Sequence, residues 1–236
     1  AYRLLLNEEY PGWLHEVKLG ATTVWERWNS LDENGRISST GMNSLNHYSY
    51  GAVLEWIFRH VAGIDVTEQG PGGKMMRISP KVDYKLGSAS AVYDSASGCY
   101  RCGWQIANGD QITVTVTVPF GAKAQVILPY APDSVYHDTD NPLFETVENG
   151  ICCVKAGQYT VTYKAASPLK KSYSVDSTLE VLLAEPAIRA FLSNMMEVDM
   201  IPDLAYGLTL RQAAEAFAGG VSAEQAQRLN ALLEEF

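Results

Sequence analysis

The chain lacks any run of about eighteen apolar residues, so it offers no candidate for a membrane-spanning helix. Its first apolar stretch, residues 4–6, is too short for a signal peptide, and a cytoplasmic location is favoured. The sequence does not start with an initiator methionine, and we expect its first residues to lie within a helix that begins further upstream. Lysine and arginine are also scarce, 18 against 27 aspartates and glutamates. The resulting formal charge of −9 argues against a nucleic-acid surface. We therefore predict neither a membrane nor a nucleic-acid partner.

Cysteine is equally scarce, with four residues in 236. Cys99 and Cys102 have the spacing of half a zinc site or of a redox pair, but no second such pair follows. Cys152 and Cys153 are adjacent, so on a strand they point to opposite faces. No histidine lies near them at ligand spacing. We predict buried free thiols in a reduced compartment, with a metal site or disulfides as the alternative.

Two further segments have the composition of ligand loops and lack the full signature. Residues 136–141 alternate Asp and Asn but lack the glycine and distal glutamate of a calcium-binding EF-hand loop. Residues 68–73 are glycine-rich, yet the Gly-Lys-Ser/Thr order of a phosphate loop is missing. We predict a polar loop for the first and a domain linker for the second, with no metal and no cofactor.

What the sequence does contain is an acid in an aromatic setting, Gly-Ala-Thr-Thr-Val-Trp-Glu-Arg-Trp at residues 20–28. Indole faces suit the C–H faces of a sugar, while the Glu26 carboxylate suits hydroxyls, protons or water. The alternative is packing, in which Trp25 and Trp28 lie in a core and Glu26 pairs with Arg27.

The sequence around residues 20–28 resembles the C-terminal part of glycoside hydrolase family 78, the α-L-rhamnosidases. The resemblance is carried by several motifs in fixed order: residues 10–14, 20–28, 42–53, Trp56 and 61–64. It covers about residues 1 to 130 well, fades toward 175 and says little about the rest.

The resemblance implies an inverting glycosidase that removes terminal α-L-rhamnose from glycans or glycosides. Glu26 is then the candidate general base, and His47 contributes to the rhamnose subsite. The family's general acid lies far upstream, whereas the residues before Gly20 include Glu8, Glu9 and Glu16 without that acidic motif. We expect a C-terminal portion that is inactive alone. The alternative is a non-catalytic carbohydrate-binding or interaction module built on the sandwich and the tail.

The implied fold is an α+β multi-domain fragment. Residues 1–65 are predicted as the terminal helices of an (α/α)6 barrel, 66–176 as an antiparallel β-sandwich and 177–236 as a helical tail. In the first part, residues 29–42 are predicted as a loop, and apolar residues from Leu45 to Val61 recur as on one helix face. Ser44 is the predicted N-cap of that helix, which puts His47 in the first turn.

An (α/α)6 barrel that lacks most of its helices exposes a wide apolar face. We expect residues 1–65 to dock on the sandwich, to pair with another copy in a homo-oligomer, or to be partly disordered.

In the second part the hydrophobic period is two, most clearly at Ile112, Val114, Val116 and Val118. The strand at 122–128 follows across Pro119 to Gly121, as in a hairpin. Further strands are predicted at 74–79, 85–94, 98–107, 151–155 and 158–164.

The third part is predicted to be helical. One amphipathic helix is expected to contain residues 182–195, and Thr209–Gln212 and Ser222–Gln225 match capping boxes. Pro202 and Gly219-Gly220 are the predicted breaks. An apolar stripe follows at Leu229, Leu232, Leu233 and Phe236; it is either buried within the helices or a partner surface.

Overall fold

The computed structural model describes residues 1–32, 34–39, 41–138, 140–170, 172–195, 205–217 and 219–234. The chain divides into two compact units, Ala1–Leu169 and Lys170–Phe236. The α-helices are α1 (Tyr2–Leu5), α2 (Trp13–Lys18), α3 (Val53–Trp56), α4 (Leu179–Leu183), α5 (Pro186–Ser193), α6 (Leu210–Phe217) and α7 (Ala223–Leu233). The strands are β1 (Ile64–Val66), β2 (Met75–Ile78), β3 (Ser88–Ser95), β4 (Gly98–Ala107), β5 (Gln111–Val118), β6 (Lys123–Val126), β7 (Val147–Glu148), β8 (Ile151–Val154) and β9 (Gly157–Lys164). The predicted mixed α+β class is confirmed, and none of the described helices is long and apolar enough to span a bilayer.

The strands of the first unit form two sheets. A five-stranded sheet has the order β1-β2-β6-β8-β7, and a four-stranded sheet has the order β3-β4-β5-β9. All pairs are antiparallel except β2 with β6. That pair is parallel because the chain leaves β2, builds three strands of the other sheet and returns beside β2 in the same direction. The expectation of antiparallel pairing throughout is wrong at this one position.

Every predicted strand segment overlaps an observed strand, and β4 matches its predicted bounds at both ends. The predicted hairpin between 112–118 and 122–128 is wrong. Both edges of β5 are occupied, by β4 on one side and β9 on the other, so no edge remains for β6. The turn closed by the bond from the Ala122 N–H to the Pro119 carbonyl instead carries the chain to the five-stranded sheet.

Alternating residues of the strands fill one core. On β5 the four residues of the predicted apolar face are all buried, Ile112, Val114, Val116 and Val118. Cys102 and Cys152 lie in the same core, where burial raises the pKa of each thiol, to about 12 and about 11. Cys153 is exposed, so the two adjacent cysteines do point to opposite faces of β8.

Residues 67–74, which contain the predicted linker, connect β1 to β2 as a hairpin inside one sheet. The predicted boundary at 65/66 falls within β1. The chain approaches this sheet through Gly63, where a Cβ atom would lie 2.2 Å from the Pro80 nitrogen, so only glycine fits.

The N-terminal segment contains short helices joined by long irregular stretches. Its longest helical stretch begins with a 3-10 turn at Ser49–Ala52, continues through α3 and ends in a π-helical turn at Ile57–Val61. The predicted N-cap at Ser44 is therefore wrong, and His47 precedes the helix. The Ser44 hydroxyl is engaged locally, donating to the Asn46 carbonyl at 3.1 Å. Tyr48, predicted on the buried helix face, is 86% exposed. The described part of 29–42, which leaves out residues 33 and 40, forms a loop as predicted, apart from one bridge between Leu31 and Ile37.

This segment packs on the sheet core through one set of apolar side chains and exposes another. Val61 lies in the core, and four partly buried residues pack against it, Tyr2, Leu5, Trp56 and Ile57. The Trp104 indole N–H on β4 donates to the Val61 carbonyl at 2.7 Å. The large apolar residues left exposed are Leu4, Tyr10, Val17, Ile37, Met42, Tyr48, Leu54 and Phe58. The structure therefore shows the first of the three predicted outcomes, in which residues 1–65 dock on the sheets.

The second unit is a small helical core with caps as predicted. Gln212 and Thr209 exchange side-chain and backbone bonds at 3.0 and 3.2 Å, and Ser222 with Gln225 forms a complete capping box. The single helix expected over 182–195 is wrong: α4 ends before Pro186, which begins α5, because proline clashes with the preceding turn of a helix. Leu233 is buried and Leu232 exposed, while Phe236 and the break at Pro202 lie outside the described residues.

Candidate active site

Two separate segments come together around Glu26. The Glu26 backbone N–H donates to the Ser44 carbonyl at 2.9 Å, and the His47 N–H donates to the Val24 carbonyl at 2.8 Å. The Thr23 hydroxyl also bonds to the Leu45 carbonyl. The structure thus holds both residues singled out in the sequence, Glu26 and His47, on two backbone segments that are hydrogen-bonded to each other.

A polar pair, buried Ser30 and half-buried Asn43, closes the far end of these segments. Ser30 is fully buried; its hydroxyl donates to Asn43 Oδ1 at 2.6 Å and accepts the Arg27 N–H at 3.2 Å. The Asn43 amide returns a bond to the Ser30 carbonyl at 2.9 Å. Because these groups satisfy one another, the turn after Glu26 is fixed to the segment that contains His47.

The aromatic residues of the site pack against one another. Trp25 is buried. Trp28 stacks on Tyr50, with ring centroids 3.8 Å apart and planes 7° apart, and meets the edge of Trp13 at 5.1 Å. The Trp13 indole N–H donates to the Tyr50 carbonyl at 3.2 Å. This packing orients the turn that contains Glu26, whose side chain is half-buried and so still reaches solvent.

His47 is held with one ring nitrogen in use. Its Nδ1 accepts the Ser49 N–H at 3.2 Å, and its ring stacks on Tyr48 with centroids 5.1 Å apart. A nitrogen that accepts a hydrogen bond carries no proton, so the neutral imidazole has its proton on Nε2. His47 can therefore donate a hydrogen bond from Nε2 to a hydroxyl group.

The other carboxyl groups near the start of the chain differ from Glu26. Glu8 and Glu9 lie in an exposed bend with Lys18, at 2.7 and 3.9 Å, and Lys18 lowers the pKa of Glu8. Glu16 on α2 is 3% exposed. Burial raises its pKa. Glu16 is too buried to protonate a bound glycoside. Among the described residues of this segment, Glu26 is therefore the one half-buried carboxyl group at the site.

Sequence reasoning missed four residues that shape the site, Glu16, Ser30, Asn43 and Tyr50. Tyr50 and Asn43 lie within the 42–53 motif, which was a usable signal. Ser30 lies just beyond the 20–28 run. Nothing in the pattern of α2 distinguishes Glu16 from an exposed helix glutamate.

The sheets carry a concave surface away from Glu26 and His47. A depression of about 370 Å³ lies on the four-stranded sheet, where a Cβ atom at Gly103 would lie 2.9 Å from the Thr115 hydroxyl oxygen. Its lining is mostly hydroxyl, amide and small groups, and its one aromatic residue, Trp104, is buried. It therefore offers no exposed ring for a sugar to stack on. Among the described residues no group of three or more His, Cys, Asp or Glu is placed to hold a metal ion.

Comparison with known proteins gives two consecutive family matches. Residues 1–61 match the bacterial alpha-L-rhamnosidase 6 hairpin glycosidase domain, and residues 63–141 match the bacterial alpha-L-rhamnosidase C-terminal domain. An alpha-L-rhamnosidase of Alteromonas sp. (strain LOR) is 38% identical over 160 residues, and one of Formosa agariphila is 37% identical over 148 residues. These alignments cover 67% and 63% of this chain and 16% of each relative.

A solved structure agrees with these matches. The alpha-L-rhamnosidase of Streptomyces avermitilis, a complex with L-rhamnose, has a TM-score of 0.59 and 33% identity to this chain. The alignment covers 69% of this chain and 16% of that one.

Together these matches define the class as glycoside hydrolase. The chain belongs to the α-L-rhamnosidases, the family indicated by its motifs, through residues 1–141. It spans about one sixth of the length of the curated relatives it matches.

Proposed function

We propose that this chain is the C-terminal portion of an inverting α-L-rhamnosidase, with Glu26 as its general base. The substrate is terminal α-L-rhamnose on a glycan or glycoside. The observation that carries the proposal is the pair of backbone bonds, 2.9 and 2.8 Å, that joins the Glu26 segment to the His47 segment. The related Streptomyces structure, which is a complex with L-rhamnose, supports the choice of sugar.

The chemistry needs two carboxyl groups. In an inverting glycosidase an acid protonates the leaving oxygen, and a carboxylate about 6.5–9.5 Å away activates a water on the opposite face of the sugar. Glu26, half-buried and reaching solvent, takes the proton from that water. His47 donates from Nε2 to a sugar hydroxyl. The general acid comes from another part of the enzyme.

The architecture follows the same proposal. The segment up to Gly63 forms the terminal helices of an (α/α)6 barrel, the two sheets that begin with β1 form the β-sandwich, and the second unit, from Lys170, is a helical tail. The match of residues 1–61 to a 6 hairpin glycosidase domain supports the barrel. Exposed apolar side chains on the helical stretch, such as Leu54 and Phe58, are then covered by the remaining barrel helices.

The test compares the purified 236-residue chain with the full-length protein that carries it, both on an aryl α-L-rhamnoside. We expect rhamnose release from the full-length protein alone, because this chain supplies one of the two carboxyl groups. Proton NMR of the first turnovers is expected to show the β-anomer, the inverted product. Release of rhamnose by the isolated chain, or initial formation of the α-anomer, would contradict the proposal.

A further inference from the structure

The two sheets have four edge strands, and three of these are protected against pairing with another strand. β1 and β7, at the edges of the five-stranded sheet, contain three and two residues. β9, at one edge of the four-stranded sheet, ends in Lys164, and its Thr160 carbonyl accepts the Asn141 side-chain amide at 3.1 Å. Short strands, lysine and covering loops are devices that keep sheet edges from pairing. The fourth edge strand, β3, has none of them.

β3 is long, regular and exposed. It contains eight residues, Ser88–Ser95, with no lysine or proline, and it pairs with β4 in a continuous register without a bulge. Val92 is 45% exposed and Tyr93 is 37% exposed. A strand of this kind offers a row of backbone N–H and C=O groups to another strand.

The pairing with β4 shows which of these groups point away from the sheet. The Ile106 N–H donates to the Gly87 carbonyl at 2.8 Å, just before β3 begins. Opposed residues of an antiparallel pair alternate between exchanging hydrogen bonds and exchanging none, so the odd-numbered residues of β3 bond to β4. The even-numbered residues point their backbone groups outward; they are Ser88, Ser90, Val92 and Asp94. Of these groups, in the part of the chain that the structure describes, only the Ser88 N–H has a partner, the Leu86 carbonyl at 2.9 Å.

This edge is complementary to itself. Two copies of β3 can pair antiparallel about a two-fold axis at Ala91, as in a dimer that uses the same surface of both copies. Ser90 of each copy then lies opposite Val92 of the other. Ser88 likewise lies opposite Asp94, so every outward-pointing residue is paired. Asp94 is the one charged residue of β3, and because it faces a serine, no like charges meet.

We propose that β3 is a dimerisation edge: it pairs with β3 of a second copy of this chain and joins the two four-stranded sheets into one continuous sheet. The inference does not depend on the proposed role of Glu26. The interface is small, since its backbone bonds come from one strand of each copy, and the amount of dimer therefore depends on protein concentration.

The test is sedimentation velocity of the full-length protein over a concentration series, with Val92→Lys as the variant. We expect a dimer for the wild-type protein. Val92→Lys is expected to raise the dissociation constant about tenfold or more, because it places a cation on each side of the axis. Thr160→Lys adds the same charge to the exposed face of β9. This matched control is expected to keep the dissociation constant within about twofold of wild type.

Hydrogen exchange, resolved to single amides by electron-transfer fragmentation, reports on the edge itself. In the dimer the Ser90 and Asp94 amides are expected to exchange slowly, because they donate to the second copy. Val92→Lys is expected to make these two amides exchange about tenfold faster or more, while the Ala91 and Tyr93 amides stay protected by β4.

Several results would overturn the inference. A monomeric full-length protein with fast exchange at Ser90 and Asp94 has a free edge. A monomer with slow exchange there has an edge covered by another part of the same protein. A dimer that Val92→Lys leaves intact, or that Thr160→Lys weakens equally, is formed by another surface. If Val92→Lys does not fold, as judged by circular dichroism, Ser90→Lys replaces it at the opposing position and is judged by the same two measurements.

Discussion

The four-stranded sheet and the segment from residue 23 to 47 belong to one unit but are held by different interactions. In the sheet, β5 is paired along both edges and buries one apolar face. Residues 23–47 instead depend on a few specific hydrogen bonds, from Glu26 to Ser44, from His47 to Val24 and between Ser30 and Asn43. We therefore expect the sheet to keep its position when one polar contact is removed, and the segment at residues 23–47 to shift, because few bonds hold it.

The largest expected effect is in the sheet. Ile112→Ala removes a fully buried side chain from β5 and is expected to lower the free energy of unfolding by about 2–5 kcal/mol. Urea unfolding followed by tryptophan fluorescence measures this, because all five tryptophans lie in the first unit. Thr160→Ala, on the exposed face of β9, is the control and is expected to stay within about 0.5 kcal/mol. Equal effects of the two variants would show that the sheet does not depend on one buried face.

A smaller effect on stability, with a larger local consequence, is expected at the site. Ser30→Ala removes the hydroxyl that donates to Asn43 Oδ1 and accepts the Arg27 N–H, and it is expected to cost about 1–3 kcal/mol. Hydrogen exchange is expected to speed up in peptides covering 24–30 and 43–47 while β5 stays protected. The control is Ser39→Ala, an exposed serine in the same loop. If protection falls equally in β5 and in the two site peptides, the contrast between the regions is wrong.

The sheet was largely predictable because its signal is local. The alternation from Ile112 to Val118 predicts both the strand and its buried face. The two capping boxes are equally local, since each is closed within four residues. The pairing of β5 with β9 is not local, and adjacency in sequence wrongly favoured β6 as its neighbour.

The site was predictable only in its residues. The motifs identify Glu26 and His47 as candidates, but the position of His47 before the helix follows from a bond to Val24, twenty-three residues away. The burial of Glu16 on α2 is likewise a feature that no periodicity in the sequence records. Sequence motifs therefore identified the residues, and contacts distant in sequence determine their geometry.

The most direct test of the central claim is the turnover of Glu26→Gln in the full-length protein. The matched control is Glu55→Gln, which removes an exposed carboxylate paired with Arg59 at 2.8 Å, outside the site. If Glu26 is the general base, kcat of Glu26→Gln falls by about 10²–10⁴ while KM changes little, and Glu55→Gln behaves like wild type. A Glu26→Gln variant that retains kcat within about threefold of wild type would contradict the assignment.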